Sequence, residues 1–352
     1  MIAKARKFLT RRKKQAKTLP GLPGTVRITN ETVAARRDEV LASARKYIYP
    51  LQASRHRIVK LSIGIFIGAA TGFLIFCGLE LYKFQSTSAF MYGVTRVLPV
   101  PAAVLGNRYV VSYNTYLFEL RHYMHYYQTQ QHADFSSPAG KQQLAVFRQR
   151  SMDQAIQDEY VQQLANEHHL SVSSQDVDDA VALVRSQNRL GASDTVFRNV
   201  LAEFWGWSVD DFRRELRQEL LAQKVAAALD TQTHNRAEQA LSSLQHGADF
   251  AKLAKAVSDD AATRGNGGDY GITISRSSTD IAPQVAAALF SLQRGQYSGI
   301  INTGYGLEIV KVTEIHANTV HAAHIAFNFR PVTDFTKNLQ ASRKPHILIS
   351  LK

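Results

Sequence analysis

A single cysteine, Cys77, stands among 352 residues. One thiol closes no disulfide framework, so the fold must rest on a packed core. Acids are scarce in one region only. Residues 1–60 carry 16 Lys/Arg against three Asp/Glu, while residues 61–352 carry 26 of each. The net charge of +13 therefore sits in the first sixty residues. The remaining body is neutral, which argues against specific nucleic-acid binding there. A scaffold whose basic tail touches RNA or anionic lipid stays open, although topology gives a simpler account of the tail.

Charge vanishes altogether between Leu61 and Leu79, "LSIGIFIGAATGFLIFCGL". At about 1.5 Å per residue such a helix covers roughly 28 Å, one hydrocarbon core. Lys60 and Lys83 flank it. A buried core helix and a cleaved leader are the rival readings, but leaders have short basic leads and this one is sixty residues long. The excess of cations before the run predicts a cytoplasmic tail (1–60), a membrane span (61–82) and an extracytoplasmic remainder. Gly64, Gly68 and Gly72 recur every fourth residue. Such a stripe lets two helices approach and is the basis for expecting a homodimer in the lipid; a helix without a specific partner fits it equally well.

Beyond the span the chain expects an α+β organisation. "AAVLGNRYVV" alternates around Gly106-Asn107, a hairpin turn pair. Ser112 or Asn114 can cap the next helix. Leu144, Phe147, Met152, Ile156, Tyr160 and Leu164 form a stripe at helical spacing. A Ser-capped helix follows and ends near Gly191, then two more break at Gly206, with Ser208 and Asp211 spaced as a capping box.

This order resembles the N-terminal chaperone module of the SurA/PpiD/PrsA family. "PAAVLGNRYVVSYNTYL", "LANEHHLSVSSQDVDDAV" and "FWGWSVDDFRRELRQELLAQKV" carry the likeness, over roughly 98–230. Residues 236–315 resemble a parvulin-type peptidyl-prolyl isomerase. Gly247, Asp249, Phe250, Ala254, Ser258, Asp260, Gly267, Gly268, Asp269 and Gly271 fall on that family's pattern, as do Gly295, Ser298, Thr303 and Gly306. The glycines of "SDDAATRGNGGDYG" precede "DYGITI", which reads as a strand. They are expected to make a turn into a sheet, not a phosphate cradle opening a helix or a calcium loop.

The resemblance implies a SurA-N-like helical module (83–232), a parvulin-like domain with a four-stranded antiparallel sheet flanked by helices (233–330), and a C-terminal tail (331–352). The family's first strand is missing before "AEQAL", where "ALDTQTHNR" is too polar. "HAAHIAFNF" (321–329) alternates correctly and could take that slot as a circular permutation; a plain tail is the alternative. On that reading Asp260, His324 and Glu308 form the catalytic cluster, with Glu308 where the family has histidine. Tyr270, Ile281, Val285 and Phe290 would hold the substrate proline. Neither metal nor cofactor is expected. The implied partners are unfolded exported polypeptides and membrane lipid, and the rival function is a holdase with a degenerate isomerase domain.

The charge asymmetry carries a direct test of topology. Reporter fusions are expected to place residue 30 in the cytoplasm and residue 200 outside; the reverse pattern would defeat the export argument.

Overall fold

The computed structural model describes residues 29–48, 51–187 and 193–351. Most of the expected basic tail, and the helix end expected near Gly191, lie outside them. The chain divides into two compact units, with the boundary after Ile75.

The first unit holds α1 (Asn30–Ile48) and most of α2 (Leu51–Gly78). Ile58–Lys83 is long and apolar enough to cross a membrane by length and composition. Its apolar side chains face outward; Phe66 is 74% exposed and Leu61 66%. The expected span, 61–82, overlaps the second unit at its end. Cys77 and Leu81 are buried in that unit's core, and the Tyr113 hydroxyl donates to the Leu81 carbonyl at 2.6 Å.

The second unit begins with a helical layer. A short helix, α3 (Ala89–Val97), leads into the hairpin β1 (Pro101–Leu105) and β2 (Tyr109–Ser112). Its turn uses Gly106 at φ 57°, a backbone state glycine adopts without strain. Ser112 then caps α4 (Tyr113–Gln130), and Ser137 caps α5 (Pro138–Glu167). The stripe of Phe147, Met152, Ile156, Tyr160 and Leu164 is buried against Tyr116, Leu117 and Leu120 of α4. Two capping boxes open α6 (Ser174–Ser186) and α8 (Val209–Leu229), through Ser173–Asp176 and Ser208–Asp211. Between them α7 (Asp194–Val200) runs into a wide turn that stops at Gly206, φ 67°.

The chain leaves this layer at Asp230, the cap of α9 (Thr231–Gln245). Then come α10 (Phe250–Val257), α11 (Ala261–Arg264), β3 (Ile274–Ser275), α12 (Pro283–Leu289), β4 (Ile301–Asn302), β5 (Gly306–His316) and β6 (Thr319–Asn328). The four strands form one antiparallel sheet in the order β3-β6-β5-β4. Segment 321–329 therefore lies at the sheet centre, paired with β5 from Gly306↔Asn328 to His316↔Thr319. Ile325 and Phe327 face α9 and α10; Val310 and Ala322 face α12 on the other side. The polar stretch before "AEQAL" is helix, not strand, because Asp230 caps it and Ala237, Ala240 and Leu244 form a buried stripe.

Residues 331–352, expected as a tail, carry structure. They form α13 (Val332–Ser342) and β7 (Pro345–Ile347), and β7 pairs antiparallel with β1 to give a sheet ordered β2-β1-β7. Leu339 and Ile349 are buried with the helical layer, and Tyr160 donates its hydroxyl to the Arg343 carbonyl at 2.7 Å. The chain thus returns at Pro331 to the layer it left at Asp230.

One carboxylate joins the two crossings. Asp230 is fully buried, accepts from the Arg330 N–H at 2.8 Å and Nε at 3.1 Å, and holds Thr233 by its N–H and hydroxyl. Asp230→Ala removes a helix cap, about 1 kcal/mol, and leaves the Arg330 N–H unpaired, about 1–3 kcal/mol more. Denaturant unfolding should show a loss of roughly 2–4 kcal/mol in total. A loss under about 0.5 kcal/mol, the size of an ordinary surface change, would show the clasp to be dispensable.

Candidate functional site

The stretch Ser258–Gly271 is built to reach β6. Ser258 ends α10, and its hydroxyl accepts from the Ala326 N–H at 3.1 Å. Asp260 caps α11 through the Ala262 N–H. The chain then turns through Gly267 and Gly268, both at positive φ, and runs antiparallel beside β6: the Gly268 carbonyl accepts from the His324 N–H at 2.8 Å, and the Tyr270 N–H donates to the Ala322 carbonyl at 3.1 Å. A Cβ on Gly268 would meet the His324 carbonyl oxygen at 2.1 Å, so no other residue fits there. These glycines therefore turn into a sheet edge, as the sequence predicts.

That edge assembles a polar cluster on one face of the sheet. His324 on β6 is 7% exposed. Its Nε2 lies 2.9 Å from Asp260 Oδ2, and its Nδ1 lies 3.0 Å from Glu308 Oε2 on β5. The Tyr270 hydroxyl donates to the same Glu308 oxygen at 2.9 Å, and the Tyr270 ring lies against the imidazole at 4.2 Å between centroids. Asp260, His324 and Glu308, named from the sequence, are thus brought together. Thr263 was not foreseen. Its hydroxyl donates to Asp260 and sits 2.9 Å from His324 Nε2. The Asp-x-x-Thr spacing of a helix cap was the available signal.

The four residues expected to hold a proline ring share one apolar cluster, but not one surface. Ile281 and Val285 are buried in it, Val285 to 1% exposure; Tyr270 and Phe290 pack at its margin. Ile281 lines a cavity of about 1020 Å³ together with Glu308; Tyr270, Val285 and Phe290 do not, nor do Asp260 and His324. The far wall comes from α6 and α8, including Leu183, Leu216 and Leu220, so this cavity lies between the helical layer and the sheet domain.

The electrostatics follow from the contacts. Burial works against the charged imidazole of His324, but hydrogen bonds and charge from Glu308 and then Asp260 outweigh it and raise its pKa. A protonated ring satisfies both carboxylates at once, since both nitrogens then donate. The Thr263 hydroxyl bond is the largest influence on Asp260, whose carboxyl is held below its ordinary range despite some burial. Burial first, and then Glu308, push the Tyr270 phenol above its ordinary value. The cluster thus sets an imidazole between two carboxylates, with hydroxyl groups at both ends and an apolar wall beside it.

Two family models match the chain. A SurA-like N-terminal domain covers residues 51–226, half of the chain, and a PPIC-type PPIASE domain covers residues 220–314. The chain therefore belongs to the family of proteins with a SurA-like N-terminal domain joined to a PPIC-type isomerase domain. The second match ends before β6. Foldase protein PrsA of Clostridium kluyveri is 31% identical over 120 residues, 34% of this chain and 33% of that protein. Chaperone SurA of Shigella dysenteriae serotype 1 is 25% identical over 258 residues, 57% of this chain and 59% of that protein. The chain thus spans between a third and about three-fifths of these relatives' lengths. The crystal structure of foldase protein PrsA from Streptococcus pneumoniae aligns over 55% of this chain and 76% of that one at 21% identity, with a TM-score of 0.19 that carries no argument.

The raised pKa of His324 fixes the sign of a pH effect. The group contributes stability below its unfolded value of about 6.5, and that contribution is lost as pH rises through the higher folded value. Asp260 runs the other way: its contribution is present above about 3.9 and is lost as pH falls through its depressed folded value. NMR titration should place His324 above about 6.5, and His324→Gln should flatten the loss of stability on the alkaline side of that value. A folded pKa under the reference would remove the pairing argument.

Proposed function

We propose that the chain is a membrane-anchored folding factor that works outside the cytoplasm, binds unfolded exported polypeptides in its helical module, and isomerises X-Pro bonds at the His324 cluster. The observation that carries this reading is the shared cavity. Glu308 and Ile281 open onto the same space as the apolar residues of α6 and α8. A polypeptide held by the helices would lie against Glu308, the member of the cluster that joins the cavity to His324. Rotation about a prolyl bond is opposed by amide resonance, a barrier of about 18–20 kcal/mol. Lowering it needs no nucleophile and no cofactor. It needs an apolar seat for the ring and hydrogen-bond groups that favour the twisted amide over the planar one. In this reading Asp260 and Glu308 hold His324 charged and oriented, Tyr270 supplies a donor, and Ile281, with Tyr270 and Phe290 at the margin, seats the ring, with Val285 as support beneath.

The central position of 319–328 supports reading the sheet as a permuted parvulin sheet, with the family's first strand supplied after the last. The basic segment before the apolar helix supports a cytoplasmic N-terminus and contact with anionic lipid. The face of Gly64, Gly68 and Gly72 has open space around it, which suits lipid or a second copy of the helix.

A specific observation favours the rival holdase. Both nitrogens of His324 are already engaged, and Val285 is sealed in the core. A proline-limited refolding assay separates the two. The soluble fragment should begin at residue 76, because Cys77 and Leu81 belong to the core. Catalysis predicts that Asp260→Ala and His324→Ala each lower the rate about tenfold or more without unfolding the protein, as loss of an electrostatic group does elsewhere. Glu308→His, the family residue, should keep or raise it. Unchanged rates in both folded alanine variants, with aggregation of clients still suppressed, would leave the holdase in front.

A further inference from the structure

The far end of the β5–β6 hairpin carries three side chains that the folding activity does not use. Glu314 and His316 lie two residues apart on β5 and so share a face. His321 on β6 is the direct cross-strand partner of Glu314. That pairing depends on an irregularity. The register shifts between Val312 and Glu314, so that Thr313 is passed over and the carboxylate, not the threonine, stands opposite the histidine. Ala317 and Asn318 close the hairpin immediately beyond, with Ala317 at φ 32°.

The geometry is that of an open three-ligand set. Glu314 Oε2 and His316 Nε2 are 3.1 Å apart, and the two imidazole rings stand at 85° with centroids 5.6 Å apart. One ligand atom from each of the three residues lies within 4.8 Å of the others. Bonds of about 2.0–2.2 Å in a tetrahedron bring ligand atoms to roughly 3.4 Å, a closure that exposed side chains reach by rotating. A neighbouring element already orients one ligand. The Thr273 hydroxyl lies 3.2 Å from His321 Nε2, and a second contact of this kind helps to orient a metal-binding imidazole elsewhere. His321 and His324 point to opposite faces of β6, so this site is separate from the isomerase cluster.

We propose that Glu314, His316 and His321 bind a divalent transition ion of the zinc class, which clips the open end of the β5–β6 hairpin. Two imidazoles and one carboxylate suit zinc, nickel or copper; magnesium and calcium prefer all-oxygen shells. The three protein ligands leave one position to water. Because the same two strands carry Glu308 and His324, the ion would stabilise the strand pair on which that cluster stands. Binding to the folded state alone raises its stability by mass action.

The test uses the full chain in detergent, without a histidine tag, titrated with zinc chloride at pH 7.5 by calorimetry. One site per chain is expected, with magnesium chloride giving no heat. His321→Ala and His316→Ala should each weaken the site at least tenfold and abolish the zinc-dependent rise in melting temperature. The imidazole resonances of His316 and His321 should be the ones that move on adding zinc. Glu314→Gln, nearly isosteric, guards against misfolding and should also weaken binding. His169→Ala, outside the ligand set, should leave it unchanged. Wild-type zinc affinity in folded His316→Ala and Glu314→Gln variants, or loss of the site in His169→Ala, would overturn the proposal.

Discussion

The buried carboxylate of Asp230 is the joint on which this architecture turns. It sits where the chain leaves the helical layer and binds Arg330, where the chain comes back. Burial alone would raise its pKa; the Arg330 N–H, Thr233 and the guanidinium reverse that and keep it ionised. Arg330 in turn lies over the Phe335 ring of α13 at 4.8 Å. A second pair works alongside. Arg236 of α9 grips Asp259 with both ends of its fork, and Asp259 accepts from the Asn328 N–H at the end of β6. Cap, strand end and the loop leading to Asp260 are thereby tied to one another. The sheet domain is set between two crossings of the chain and held there by charge-assisted bonds that are stronger than neutral ones.

The candidate site inherits its geometry from that frame. His324 is positioned by its strand, by the Gly268 carbonyl on one side and by Glu308 across the β5 ladder on the other. Asp260 is fixed by capping α11, and the same cap spacing delivers Thr263. Hydrogen bonds to an imidazole between two carboxylates are stronger in such a shielded place than on the surface, because less water competes for them.

Much of this was legible in local chemistry. The Gly106 turn, the Ser112 cap, the Ser cap of α6 and the Ser208–Asp211 capping box are each decided by a few adjacent residues, and the structure has them all. The alternation of 321–329 showed which residues face which layer, and "GNGGDYG" announced a turn into a strand. The role of 331–352 was hidden. Its partners are β1 and α5, and neither a three-residue strand nor a short amphipathic helix names its partner in advance. That the end of the apolar run also meets a packed core was hidden for a related reason. Nothing in "CGLELYK" distinguishes lipid from the tyrosine-lined core that receives Cys77 and Leu81. Glu314 and His321 became neighbours only through a one-residue slip in a ladder, which periodicity does not reveal.

The closure of β7 on β1 bears on the order in which the molecule can be assembled. Gln85 donates to the Ser350 carbonyl across 265 residues of chain, and Tyr160 reaches Arg343 across 183. A polypeptide is synthesised from its N-terminus. Its helical layer would stand incomplete, with the β1 edge and the seats of Leu339 and Ile349 open, until the whole sheet domain had followed. Contacts so distant in sequence form slowly, because loop-closure entropy is lost before they reward it. The last element to arrive is the one that seals the first, so a half-made copy would expose apolar surface much like that of an unfolded chain.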